Sequence, residues 1–130
     1  MKSVQNYHFI SEDFYYLMKS VIKELFLDLD FDCYQMISIQ DTMAKYMPSR
    51  ACPNGGCSPM TVEKCSKFCF EDQDYQYLGL MDGYECFCGN ILHPTKIDKS
   101  ECSKACLGNT QQNCGAWMKL SVYKREGMYV

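Results

Sequence analysis

The sequence predicts a small α+β domain held together by disulfides, and three observations predict it. Ten of the 130 residues are cysteine, close to the density at which a short chain reads as a disulfide scaffold. Cys65 and Cys69 sit four apart in a stretch with helical periodicity, whereas Cys86 and Cys88 sit two apart in a stretch that alternates like a strand. Asp82-Gly83 joins two β-like runs, a strong signal for a tight hairpin. The length suits one compact domain with a short extension. Charged residues make up 22% of the chain and the net charge is −3. That balance speaks against wholesale disorder and against a nucleic-acid binder, which would carry a basic excess.

Residues 1–32 read as an N-terminal extension. Of 13 basic and 16 acidic side chains, this cysteine-free head holds three and six, so the remainder of the chain is charge-balanced. Ser11 is placed to cap a helix, with Glu12 and Asp13 at the positive end of its dipole. Phe14, Leu17, Met18, Val21, Ile22 and Leu25 then keep the i, i+3, i+4 rhythm of one amphipathic helix. Its acidic balance fits packing on the domain better than a membrane surface, where Lys and Arg dominate. Residues 1–10 have neither the apolar core nor the cleavage site of a secretory signal peptide. No run approaches the roughly 20 apolar residues of a membrane span. An oxidising destination therefore calls for a leader that this sequence does not show.

The cysteines begin at residue 33. Residues 48–59, rich in Pro and Gly, read as a loop that Cys52 and Cys57 could staple to each other. A helix is expected over residues 61–69, with Thr61 as N-cap and Cys65, Phe68 and Cys69 on one face. A second helix of the same construction is expected at 100–107, stopped by Gly108, with Cys102 and Cys106 on one face. The hairpin pairs residues 75–81 with 84–89. A last strand is expected at 117–123, and 124–130 form a C-terminal tail.

Helix and strand can be cross-linked because their spacings match. Four helical residues advance about 6 Å, and two extended residues advance about 6.7 Å while pointing to the same face. Cys65–Cys86 and Cys69–Cys88 can thus form two parallel rungs, with crossed pairing as the alternative. A two-residue turn sets Met81 opposite Tyr84, Gly79 opposite Cys86 and Tyr77 opposite Cys88. Leu78, Leu80 and Phe87 then share the face away from the cysteines, and Gly79 leaves room for the helix. Zinc is the competing use of these thiolates. A one-residue gap is tight for a zinc ligand pair, and six cysteines would remain unexplained.

Thr61-x-Glu63-x-Cys65-x3-Cys69, Tyr77-Leu78-Gly79-Leu80, Glu85-Cys86-Phe87-Cys88-Gly89-Asn90, Cys102-x3-Cys106-Leu107-Gly108-Asn109 and Cys114-Gly115 through Leu120-Ser121-Val122-Tyr123 together resemble the WSC domain. That family is named for fungal cell-wall stress sensors and also occurs in polycystin-like and Kremen-like proteins. Asp32-Cys33-Tyr34 is similar to the domain's opening Gly-Cys-Tyr, with Asp32 in place of glycine. The resemblance spans residues 33–123. It implies a PAN/apple-like fold with an antiparallel sheet crossed by a helix. It also implies the pairs Cys33–Cys102, Cys65–Cys86, Cys69–Cys88 and Cys106–Cys114. Cys52 and Cys57 are extra and are expected to pair with each other, and Ala116 replaces a glycine frequent in the family.

The implied function is carbohydrate binding, to a cell-wall polysaccharide or glycan, at the cell surface or outside the cell. A protein-interaction module is the alternative. No enzyme activity, cofactor or metal is implied. Sugar rings offer apolar C–H faces and polar edges, which suit aromatics with a polar handle. Tyr75, Tyr84, Phe87, Trp117 and Tyr123 are the aromatic candidates, and Asn90 is a candidate hydroxyl-binding amide. For Asn90 a turn role is the plainer reading, and His8 and His93 read as isolated surface residues. Glu85 has no second carboxylate placed to face it, so a glycosidase pair is unsupported.

Overall fold

The computed structural model describes residues 31–51 and 59–125. The helix expected at 11–26, the Cys52–Cys57 pair and the end of the C-terminal tail lie outside the described residues. In chain order the elements are β1 (Asp32–Gln35), α1 (Ile39–Lys45), β2 (Ser49–Ala51) and α2 (Val62–Ser66), which continues as a π-helical turn at Lys67–Glu71. The hairpin β3 (Tyr77–Met81) and β4 (Glu85–Gly89) follows, then β5 (Lys96–Ile97) and a 3₁₀ turn at Lys99–Glu101. The chain closes with β6 (Ala105–Cys106), β7 (Asn109–Asn113) and β8 (Lys119–Lys124). Six strands form one sheet in the order β2-β4-β3-β8-β1-β5, every pair antiparallel. β6 and β7 form a separate ribbon.

The sheet is covered on both faces. On one lie Val62, Cys65 and Cys69 of α2 and its continuation, packed on Leu78, Leu80, Cys86, Cys88 and Tyr123. On the other, Ile39, Met43, Tyr46 and Met47 cover Tyr34, Met81, Phe87, Leu120 and Val122. The parallel rungs are present: Cys65–Cys86 and Cys69–Cys88 have Cα separations of 5.6 and 5.3 Å. Cys33–Cys102 and Cys106–Cys114 complete the described disulfides. The sulfurs of Cys65, Cys69 and Cys86 lie within 4.8 Å of one another, as zinc would need. Each of them is already spent in a disulfide.

The hairpin register differs from expectation by one residue. Asp82-Gly83-Tyr84 form a three-residue loop, with Asp82 and Gly83 at positive φ, so Met81 pairs with Glu85, Leu80 with Cys86 and Gly79 with Phe87. A one-residue slip exchanges the faces of a strand. Leu78 and Leu80 therefore join the cysteine face, and Gly79 makes room for Met47 rather than for the helix. On that face both leucines are fully buried, each burial contributing about 2 kcal/mol. The loop is also held from outside: the Gly83 amide donates to the Cys114 carbonyl, and the Leu107 amide donates to the Gly83 carbonyl.

The helix expected at 100–107 is absent. Only the 3₁₀ turn at Lys99–Glu101 forms, capped by Asp98, whose carboxylate accepts from the Ser100 amide at 2.9 Å. Cys102 and Cys106 must reach different partners, Cys33 and Cys114, which one helical face would prevent. The Lys104 amide donates to the Gly115 carbonyl, and the Lys104 carbonyl accepts from the Cys114 amide, so neither group is left for a helix. Six elements, β1, α1, β2, β5, β6 and β7, were not expected. Ser49–Ala51, inside the expected loop, is the edge strand β2. α1 starts at Ser38, whose side chain accepts from the Asp41 amide.

Candidate functional site

The sequence-predicted candidates do not form one surface. Phe87 is fully buried, because its ring lies on the Met47 and Leu120 side of the sheet, so it is not offered to a ligand. Tyr123 is also buried, with its hydroxyl donating to the Asn113 carbonyl at 2.9 Å. Tyr75 and Tyr84 are half-buried against the cysteine-side core. They flank opposite ends of the hairpin, on the order of 15 Å apart for a five-residue strand. Asn90 is exposed, and its Oδ1 accepts from the Gln76 amide at 3.0 Å; its carbonyl thus closes the open end of the hairpin. Glu85 is buried and paired with Arg50, whose Nε donates to Oε1 at 2.8 Å and whose Nη2 also bonds it. Losing one partner of such a buried pair costs about 3–5 kcal/mol, whereas replacing both by apolar groups is often neutral.

Trp117 stands apart, 64% exposed. It occupies a two-residue turn closed by reciprocal backbone hydrogen bonds between Ala116 and Lys119, each 3.1 Å, with Met118 at φ 59°. The Met118 carbonyl accepts from the Met36 amide at 3.0 Å and from Gln35 Nε2 at 3.1 Å. The indole is therefore carried by a rigid corner docked on the end of β1. Ile37, next along the chain, is 77% exposed.

From Gln35 and Ile37 the surface dips into a cleft between α1 and the Pro94–Thr95 segment, with a cavity volume of about 20 Å³. The Gln35 amide donates to the Thr95 carbonyl at 2.9 Å and holds that segment in place. His93 forms part of the lining and is buried, contrary to the surface position expected for it. Its Nε2 lies 3.1 Å from Thr42 Oγ1, and the ring packs 4.4 Å from that of Tyr46 and 6.5 Å from that of Tyr34. Nδ1 is buried with no hydrogen-bond partner. Nothing in the local pattern marks His93 and Tyr46 as neighbours, because they lie 47 positions apart; Ser38 followed by Asp41, a helix-start pair, is the one local signal that could have pointed to α1.

Burial holds the His93 imidazole below its ordinary pKa of 6.5. Tyr34 and Tyr46 face it, and Asp41 and Lys45 bring opposite charges to the cleft. The unfolded chain protonates this side chain first as pH falls. The stability that the neutral ring contributes is therefore complete above about pH 6.5 and is lost on acidification toward the folded pKa. Unfolding midpoints at about pH 7.5 and about pH 5 check this. The drop is larger in the native chain than in His93→Phe, and an equal drop contradicts the assignment.

The model of the WSC domain family matches residues 33–116. A WSC domain-containing protein of Arthroderma benhamiae is 41% identical over 76 residues, covering 56% of this chain and 8% of that protein. Human Kremen protein 2 is 32% identical over 80 residues, 59% of this chain and 17% of its own. Xylosyltransferase oxt of Drosophila melanogaster is 36% identical over 63 residues, 47% of this chain and 7% of its own. The chain thus spans less than a fifth of each of these relatives.

Proposed function

The chain belongs to the WSC domain family, and from that premise we propose that it is an extracellular or cell-surface module that binds carbohydrate, a cell-wall polysaccharide or glycan, through the corner bearing Trp117. The observation that carries this reading is the exposure of Trp117 on a turn fixed at both ends by backbone hydrogen bonds. An indole offers a broad apolar face to sugar C–H groups and an N–H to a hydroxyl. A platform already rigid loses little conformational freedom on binding. The cysteines agree with an oxidising location, since all eight in the described residues are paired. The module binds rather than catalyses: Glu85, the carboxylate nearest in sequence to a catalytic reading, is committed to Arg50.

Docking of a protein partner is the second reading, favoured by the exposed Ile37, Ile91 and Leu107. Retention on insoluble β-glucan, chitin and mannan separates the two. The native chain is retained on at least one of them, and Trp117→Ala weakens that retention about tenfold, or about 1.4 kcal/mol, with an unchanged melting temperature. No retention on any of the three, from correctly folded protein, overturns the carbohydrate reading.

A further inference from the structure

Native folds rarely leave a buried polar atom without a partner, and one that does so calls for an explanation. Among the described residues, His93 Nδ1 is such a side-chain atom. It belongs to a ring that is only 6% exposed and that forms part of a cleft. The cavity volume there, about 20 Å³, suits a single group the size of a water molecule or a hydroxyl. We propose that this cleft is a hydroxyl-recognition subsite, in which one hydroxyl of a bound saccharide bonds His93 Nδ1 while the sugar extends toward Trp117. The inference rests on the carbohydrate reading and adds to it the group that would discriminate among sugars.

The chemistry favours a hydroxyl. The Nε2 atom is taken by Thr42 Oγ1, and a neutral imidazole leaves Nδ1 as donor or acceptor according to tautomer. A hydroxyl can accept or donate and so satisfies either one, whereas a carboxylate can only accept and an ammonium can only donate. Tyr46 packs against the imidazole, with ring centroids 4.4 Å apart and planes tilted by 35°. Gln35 ties the two halves together, lining the cleft and bonding the Met118 carbonyl beneath the Trp117 turn. Nδ1 is covered, and two residues of the lining, Ile37 and Lys45, are exposed. An orphaned polar atom kept for a ligand is a local fault that a fold tolerates at a functional site.

The test uses the full chain with three soluble probes: oligosaccharides of β-1,3-glucan, of chitin and of mannan. On saturation with whichever binds, the imidazole ¹⁵N resonances of His93 shift together with the indole resonance of Trp117. Thr42→Val/His93→Phe removes both ends of the buried hydrogen bond and the orphan with it, in similar shapes. It keeps or raises the melting temperature, yet binds the same probe about tenfold more weakly. Undiminished binding by that variant, or shifts confined to Trp117, overturns the subsite while leaving the carbohydrate reading intact. No response of any resonance to any probe removes the reading and the subsite together. The imidazole measurement is made on the native chain and decides alone should the variant fail to fold.

Discussion

Replacing Cys33 and Cys102 together by alanine destabilises the domain by about 4 kcal/mol, more than loss of any other described disulfide. The sulfurs of all four bridges are buried to a similar degree, so packing losses are comparable and the lengths of the closed loops set the order. The Cys33–Cys102 bridge spans 69 residues, Cys65–Cys86 spans 21, Cys69–Cys88 spans 19 and Cys106–Cys114 spans only 8. In the chain-entropy model these lengths correspond to roughly 4, 3, 3 and 2.5 kcal/mol. A domain of this size has only about 5–15 kcal/mol in hand. The first variant is therefore marginal, and removal of both rungs under α2 leaves little of the native state. Denaturant unfolding of the four double-alanine variants checks the ranking. If the Cys106/Cys114 variant proves the least stable, loop entropy is not what the bridges contribute.

Gly89→Ala is expected to prevent folding, at a cost of at least about 4 kcal/mol, although it adds one methyl group. A Cβ at this position would sit 2.0 Å from the Tyr46 carbonyl oxygen and 2.7 Å from Met47 Cα. Both are backbone atoms, fixed by the hydrogen bonds from the Tyr46 and Met47 amides to the Thr42 carbonyl, so relief requires moving α1 off the sheet. Gly79→Ala is the control. Its nearest neighbours are the Met47 thioether sulfur at 2.8 Å and Leu120 Cδ2 at 3.1 Å, side-chain ends that rotate away for about 1–2 kcal/mol. Soluble yield and denaturant midpoints of the two variants measure the contrast, and equal effects would refute it. Because Tyr46 stacks on His93, any variant that lifts α1 also opens the cleft. The close approach of Gly89 to the Tyr46–Met47 backbone therefore protects the site as well as the fold.

The parts legible in the sequence were those in which chemistry and spacing act over a few residues. Thr61 caps its helix as its position predicts, accepting from the Lys64 amide at 3.0 Å. Cys65 and Cys69 lie one helical turn apart and meet Cys86 and Cys88 rung for rung. Asp82-Gly83 marks the hairpin. The illegible parts were those in which distant segments competed for one stretch of chain. The register of the hairpin goes with the outside bonds to Cys114 and Leu107, not with the preferred two-residue turn. Helical periodicity at 100–107 yielded to two disulfides pulling in different directions.

Alone, the sequence determined a disulfide-clamped α+β module and its family, because cysteine spacing and capping residues act locally and survive any change in the surrounding packing. Tertiary structure decided which aromatics reach a ligand. Phe87 and Trp117 are equally attractive as residues. The covering of the second sheet face by α1 and Met47, and a turn docked on β1, put one in the core and the other in solvent. The His93 cleft belongs to the same class: its walls come from segments that meet only when the sheet closes, and no short-range pattern can carry that information.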